Sequence, residues 1–285
     1  MEWLMQLSKS IEYIENNLTS EISYDEAAKI ACCSTYYFQR MFSYVAGIPL
    51  SEYIRRRRMT QAAFEIQSCN TKIGDIAFKY GYTSPTAFNR AFKNIHGISP
   101  TAARSKGVLL QAYPSISFKI TVTGGKSMRY RIETKESFRI VGVSVPLQEE
   151  MEENLKIVPK FWEEMWRGDK LSEISSLSDQ NPKKLLGVSV YTSPQYISYY
   201  IAVATDKPVP KGMTEYVIPS ATWVVLECDG HYPESIQTMY KRFLTEWLPF
   251  SGYKYAELPD IEVYSSCDEK PNGGHSEIWI AIEKE

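Results

Sequence analysis

Residues 25–48, DEAAKIACCSTYYFQRMFSYVAGI, return fifty positions later as residues 75–98, DIAFKYGYTSPTAFNRAFKNIHGI. With no gap, nine of the 24 columns are identical: Asp25/Asp75, Ala27/Ala77, Lys29/Lys79, Ser34/Ser84, Phe38/Phe88, Arg40/Arg90, Phe42/Phe92, Gly47/Gly97 and Ile48/Ile98. An internal duplication of this kind decides the architecture before any local reading does. Each copy reads as two helices around a tight turn. In the second copy, Ile73, Ile76, Ala77 and Tyr80 share one helical face. Gly81 stops that helix, and Ser84 opens the next as N-cap with Pro85 at the first helical position. Phe88 and Phe92, four apart, point inward; Asn89 and Arg90 point outward. The first copy follows suit: a helix over Tyr24–Ala31, a turn at Cys32-Cys33, Ser34 as N-cap, Phe38 and Phe42 inward, Gln39 and Arg40 outward. Two helices joined this way, the second with polar donors on its free face, form the helix-turn-helix plan.

The outward residues carry the chemistry of that plan. Each base pair shows a distinct donor and acceptor pattern in the major groove, and long side chains on the first turns of a helix read it. The first copy offers Thr35, Tyr36, Gln39 and Arg40; the second offers Thr86, Asn89, Arg90 and, for phosphate, Lys93, with Lys79 nearby. Arginine pairs bidentately with guanine, Gln and Asn with adenine. The competing reading is that Arg40 and Arg90 tie each unit together through Asp25 and Asp75.

Composition agrees with a nucleic-acid module beside a different one. Through Lys106 there are 13 basic and 9 acidic side chains; beyond it, 19 and 25. A balance of +4 is followed by one of −6. No run of about 18 apolar residues is present, so no membrane span is expected. The start, MEWLMQLSKS, has no secretory pattern, and the five cysteines (32, 33, 69, 228 and 267) lack metal-ligand spacing; reduced thiols in a cytoplasmic chain are expected. His96, His231 and His275 are scattered, and neither a catalytic triad, a metal site nor a cofactor motif stands out.

Around the repeat, Trp3–Asn17 reads as an amphipathic helix with Leu4, Leu7, Ile11 and Ile14 as its stripe. Leu50–Gln67 has no breaker and reads as a rod of roughly 27 Å. That length suits two reading helices set about one turn of DNA apart, about 34 Å. Arg55–Arg58 sit on this rod, and consecutive helical residues point in different directions, so the four cannot share one task.

Residues 1–107 are therefore expected as an all-α domain, 108–128 as a linker of part strand and part loop, and 129–285 as an α+β domain. In the last part the period is two. Strands are expected at Tyr130–Glu133, Phe138–Val145, Leu185–Tyr191, Tyr199–Ala204, Glu215–Ile218, Thr222–Asp229, Ile261–Tyr264 and Ile278–Ile282, with helices at Asn154–Arg167 and Pro233–Trp247. Their order suggests a second duplication, of strand-helix-strand-strand units.

Two resemblances sharpen this. Residues 24–104 resemble the DNA-binding domain of the AraC/XylS family of transcription regulators. The carrying residues are Ser34-x-x-x-Phe38-Gln39-Arg40-Met41-Phe42, Gly47-x-Pro49-x-x-x-Tyr53-Ile54, Ile76-Ala77-x-x-x-Gly81-Tyr82, Phe88-x-Arg90-x-Phe92-Lys93 and Gly97-Ile98-Ser99-Pro100 with Arg104. The resemblance implies two units on one rod, entering successive major grooves. Residues from about 127 onward resemble GyrI-like small-molecule-binding domains, on Tyr130-Arg131-Ile132-Glu133, Phe138-x-Ile140-Val141-Gly142, Gly230-His231-Tyr232-Pro233, Glu246-Trp247-Leu248-Pro249, Glu262-x-Tyr264 and Glu277-Ile278-Trp279-Ile280. That family implies a ligand cleft between two duplicated halves, with Glu262 aligned to its ligand-binding glutamate.

Aromatic faces attract cations and planar ligands, and a carboxylate among them completes a site for a lipophilic cation. Glu262, Tyr264, Trp223 and Trp279 are the expected lining; a solvated Glu262 beside core aromatics is the competing reading. The chain then reads as an effector-responsive transcription regulator. Its partners are double-stranded DNA, a small aromatic or cationic effector and RNA polymerase, and it acts as a monomer or weak dimer. Two other roles for the second domain stay open: hydrolysis of a small electrophile centred on Glu262, or partner contacts without a ligand.

Overall fold

The computed structural model describes residues 2–118, 127–193, 196–265 and 274–284. The chain divides into two compact units, Glu2–Lys119 and Ile120–Glu285.

The first unit is helical: α1 (Glu2–Asn16), α2 (Tyr24–Ile30), α3 (Thr35–Ala46), α4 (Leu50–Ser68), α5 (Ile73–Lys79) and α6 (Pro85–His96), then a short 3-10 turn at Ala102–Arg104. The duplication is visible in its stops and starts. Gly47 and Gly97 end α3 and α6 with φ of 72° and 78°, a left-handed cap that favours glycine. Ser84 caps α6 by accepting from the Ala87 N–H at 3.2 Å. At the first turn the left-handed position is taken by Cys32 (φ 57°), and at the second by Gly81 (φ 82°). Each copy has its own core. Phe38, Phe42, Leu50, Tyr53 and Ile54 meet the α1 stripe Leu7, Ile11 and Ile14, whereas Phe88, Phe92, Ile76 and Ala77 meet Met59, Ala62, Ala63 and Ile66.

α4 is shared between these cores, and its four arginines divide among three tasks. Arg55 and Arg56 pair with Glu52. Arg57 is 7 % exposed and bonds Glu15 of α1 through Nε and Nη2 at 2.7–3.0 Å. Its Nη1 donates to the Tyr113 carbonyl, and the Tyr53 hydroxyl adds a third donor to Glu15 at 2.6 Å. Arg58 donates to the carbonyls of Leu18 and Ser20. Among the described residues none of the four pairs with Asp75.

The described part of the expected linker, 108–118, is neither strand nor free loop. It lies along the helical unit, with Leu110 against the second core and Ile116 and Phe118 against the first. The backbone N–H groups of Gln111, Tyr113 and Ile116 bond to α6 and α4 side chains rather than to a neighbouring strand, so the alternation at Ile116 and Phe118 reflects burial against helices. Ile120, Val122 and Gly124-Gly125 lie outside the described residues.

The second unit is one antiparallel sheet with helices on one face. Its elements are β1 (Tyr130–Lys135), β2 (Phe138–Pro146), α7 (Met151–Trp166), α8 (Lys170–Ser176), β3 (Leu185–Ser193), β4 (Tyr196–Ala204), β5 (Thr214–Ile218), β6 (Ala221–Gly230), α9 (Glu234–Arg242), β7 (Tyr253–Tyr255), β8 (Asp260–Tyr264) and β9 (Gly274–Lys284). A π-helical turn, Phe243–Trp247, prolongs α9. The strand order is β1-β6-β9-β8-β3-β4-β2-β5, with β7 on β9. That order displays the expected duplication: β2-α7-β3-β4 and β6-α9-β8-β9 are equivalent units joined by the β3–β8 pair. The strand preceding each unit pairs with the other: β1 with β6, and β5 with β2. The short α8 and β7 escaped the sequence pattern because seven and three residues carry too little periodicity. The face away from the helices forms one core of Ile140, Leu186, Val188, Trp223, Val225, Ile261, Val263 and Trp279.

Breaking a buried ion pair from one side strands the other charge. Arg57→Ala should therefore destabilise the helical unit by about 3 kcal/mol, read as a lower midpoint of its transition in urea unfolding of the full chain. Arg55→Ala, on a more exposed pair, should cost under about 1 kcal/mol.

Candidate functional site

In the helical unit the two candidate reading helices differ. On α6, Thr86, Asn89, Arg90 and Lys93 are all exposed along one side, opposite the buried Phe88 and Phe92. Among the described residues no hydrogen bond or ion pair engages Asn89, Arg90 or Lys93, so their donors face water. Lys79, by contrast, is held by Glu65 at 2.7 Å.

The outward face expected for α3 is not open in this conformation. Tyr36, Gln39 and Arg40 are 6, 2 and 4 % exposed, and Thr35 is half-buried with its hydroxyl donating to Asp25. Arg40 Nε donates to the Tyr44 hydroxyl at 3.2 Å, and its guanidinium carbon lies 5.5 Å from that ring's centre. Asp25 takes Thr35 where a pairing with Arg40 was the competing expectation.

In the sheet unit the register separates the four residues expected to line one pocket. Glu262 pairs with Gly187 and Ile278, whereas its neighbour Ile261 pairs with Val188 and Trp279. Trp279 in turn pairs with Val225, so Trp279 and Trp223 share the Ile261 face. Successive strand residues point to opposite faces. Trp223 and Trp279 are therefore core residues of the far side, 0 and 3 % exposed, and do not stand beside Glu262. Their exclusion is a correction that only the register supplies.

The group around Glu262 is instead built from the adjacent strands β8, β3 and β4, from α7, and from Tyr232 after β6. Glu262 Oε2 accepts from the Tyr199 hydroxyl at 2.9 Å and the Tyr264 hydroxyl at 2.7 Å. Trp162 of α7 donates its indole N–H to the Tyr199 oxygen at 3.0 Å. Trp162 also packs edge-on to Tyr264, centroids 5.0 Å apart, with Trp166 beside it at 5.2 Å, and Tyr232 meets the other side of Tyr264 at 5.3 Å. Burial above all, with the Glu262 charge second, holds the Tyr199 and Tyr264 phenols well above their usual pKa. Both stay protonated and act as donors. Gly187 makes room: a Cβ there would lie 2.2 Å from the Tyr199 oxygen and 3.0 Å from Glu262 Oε2. Asp260, two residues along the same strand face, is held likewise by Tyr191 and Tyr255 hydroxyls at 2.7 and 2.9 Å. Trp162 and Gly187 were missed as pocket residues, and Tyr199 stood out only as one of the domain's many aromatics. Trp162 looked like part of the apolar stripe of α7.

Among the described residues no cluster of His, Cys, Asp and Glu has the makings of a metal site, and no helix is long and apolar enough to cross a membrane. Cys32, Cys33, Cys69 and Cys228 are free, and burial pushes the Cys228 thiol up to about 12, which keeps it unreactive. Cys267 lies outside the described residues.

Comparison with known proteins agrees with both units. Residues 131–282 match the family of integron-associated effector binding proteins, and residues 27–106 match a helix-turn-helix domain family. The HTH-type transcriptional activator AarP of Providencia stuartii is 42% identical over 98 residues, 34% of this chain and 73% of that protein. The regulatory protein SoxS of Salmonella typhimurium is 36% identical over 96 residues, 34% of this chain and 90% of that protein. Among solved structures, SAV2435 bound to tetraphenylphosphonium is similar, with TM-score 0.48 and 19% identity, over 55% of this chain and 94% of that one. The chain belongs to the AraC-type DNA-binding transcription regulators, and its second unit to the integron-associated effector-binding family.

Proposed function

We propose that the regulator takes a lipophilic cation at Glu262 and reads DNA through the exposed side of α6, with α3 as its second reading helix. The observation that carries the effector reading is the Glu262 carboxylate walled by Tyr199, Tyr264, Trp162 and Tyr232. Two phenol hydroxyls donate to the carboxylate, and the rings offer π-faces to a cation of opposite charge. The DNA reading is supported by the exposed donors of Asn89 and Arg90, on the side of α6 opposite the buried Phe88 and Phe92. Thr35, Tyr36, Gln39 and Arg40 serve DNA in a conformation that uncovers this face, since Tyr36, Gln39 and Arg40, at 2–6 % exposed, cannot span to a base edge. Effector binding then biases that equilibrium with a coupling of about 1–3 kcal/mol. RNA polymerase is the further partner of such a regulator, which works in the cytoplasm. Two reading helices in one chain make a monomer sufficient for one site.

Three outcomes test this. Titrating the full chain with tetraphenylphosphonium by calorimetry should give binding that Glu262→Gln weakens by about 2 kcal/mol, roughly thirtyfold in Kd; equal affinity in both would sink the role of Glu262. Gly187→Ala drives a methyl into the Tyr199 hydroxyl and should cost the sheet unit about 1–3 kcal/mol together with cation affinity. Arg90→Ala and Asn89→Ala should each weaken binding to a selected duplex by about 1–3 kcal/mol and relax preference at one base pair, measured by fluorescence anisotropy at fixed salt.

A further inference from the structure

We infer that residues 108–118 are a second connection between the two reading heads, parallel to α4, and that they position one head relative to the other. The inference rests on the DNA-reading assignment above and extends it to a segment outside both repeat copies.

The segment is fastened at both ends and in the middle. Beside the second head, the Gln67 amide donates to the Val108 carbonyl at 3.4 Å, the Gln111 N–H donates to His96 Nδ1 at 3.3 Å, and Leu110 packs on the Phe88–Phe92 core. Midway, the Tyr113 N–H donates to the Thr60 hydroxyl at 3.0 Å, its carbonyl accepts from Arg57 at 2.5 Å, and its ring lies 4.9 Å from the Arg56 guanidinium carbon. Beside the first head, the Ile116 N–H donates to the Tyr53 hydroxyl at 3.2 Å, and Ile116 and Phe118 pack on the Phe38–Phe42 core.

On α4 the anchoring side chains are Tyr53, Arg57, Thr60 and Gln67. Their spacings of four, three and seven place them along one stripe of the helix. That stripe is polar and half to fully buried where Tyr53, Arg57 and Thr60 lie, which an ordinary solvated or core face does not require. Its hydroxyls and guanidinium satisfy the backbone of an extended chain, as a neighbouring strand would. His96 does the same from α6. Its Nε2 lies 3.2 Å from the Met59 carbonyl, so that nitrogen carries the proton and Nδ1 is free to accept from Gln111.

The mechanical consequence follows from the two separate cores. Heads joined by one helix are linked at one point each and can twist about it. A second chain anchored in both cores closes that freedom, so the separation of the heads is set by two struts. Rigid linkage at the right span raises the effective concentration of the second head at its half-site, while slack lowers it.

The test lengthens the strut without removing an anchor. Gly-Gly is inserted between Pro114 and Ser115 in the full chain, and Thr60→Val removes the central hydroxyl in a second variant. Each is titrated against a duplex selected by the unmodified chain, against the α6 half-site alone, and against duplexes with one or two base pairs added between the half-sites. The insertion should cost about tenfold in affinity for the selected duplex. It should flatten the dependence on spacing and leave the half-site affinity and the helical unit's melting temperature unchanged. Thr60→Val should shift the same readouts in the same direction and less far. Unchanged spacing dependence in the insertion variant would overturn the inference. So would equal losses on whole site and half-site with a lowered melting temperature, because the segment would then merely stabilise the heads. Failure of the unmodified chain to select any duplex would instead strike the DNA-reading assignment itself.

Discussion

Arg57 is the point where the helical unit is held together. Three stretches distant in sequence converge on its guanidinium: α4, which carries it; α1, through Glu15; and the segment after the second head, through the Tyr113 carbonyl. A guanidinium this far from water is tolerated only with all its faces engaged, and here carboxylate, carbonyl and the Tyr53–Glu15 bond do that together. The Glu15 hydrogen bond dominates and raises the Arg57 pKa against the opposing cost of burial. A leucine at 57 would pack against either core, but it would bond neither to α1 nor to the extended segment. The polar choice specifies which pieces meet, and the apolar residues around it supply the bulk of the stability.

This explains why α4 looks so unlike α6 in sequence. α6 faces one core and one solvent side, so Phe88 and Phe92 alternate cleanly with Asn89, Arg90 and Lys93. α4 touches the first core through Leu50 and Ile54, the second through Met59, Ala62, Ala63 and Ile66, and the extended segment through its polar stripe. Three occupied sides leave no single apolar face for a periodicity argument to find. The four-arginine run could be read only as side chains with different tasks, since nothing local marks Arg57 as the buried one.

The duplication was legible throughout, because a repeat writes the same solution twice. Gly81, Ser84 and Pro85 marked the second turn and the start of α6 from residue type alone. In the sheet unit the period of two located the strands, and the repeated strand-helix-strand-strand order anticipated the topology. What alternation cannot give is which residues of different strands stand side by side. Trp223 and Trp279 obeyed every compositional rule for a cation site and lie on the other face. Tyr199 reaches Glu262 across β3, and Trp162 reaches Tyr199 from α7, contacts of 63 and 37 residues' separation that no local pattern encodes. Likewise, exposure of Gln39 and Arg40 followed from helical geometry, and only the tertiary surroundings removed it.

At both candidate sites a tyrosine hydroxyl meets a charged side chain: Tyr199 and Tyr264 donate to Glu262, and Tyr44 accepts from Arg40. A hydroxyl both donates and accepts, so one residue type serves a carboxylate and a guanidinium alike. Around Glu262 the direction is fixed, because burial keeps the Tyr199 and Tyr264 phenols protonated and hence donors. Their rings then wall the same carboxylate, so hydrogen bonding and aromatic packing come from the same two side chains, with Trp162 set against both.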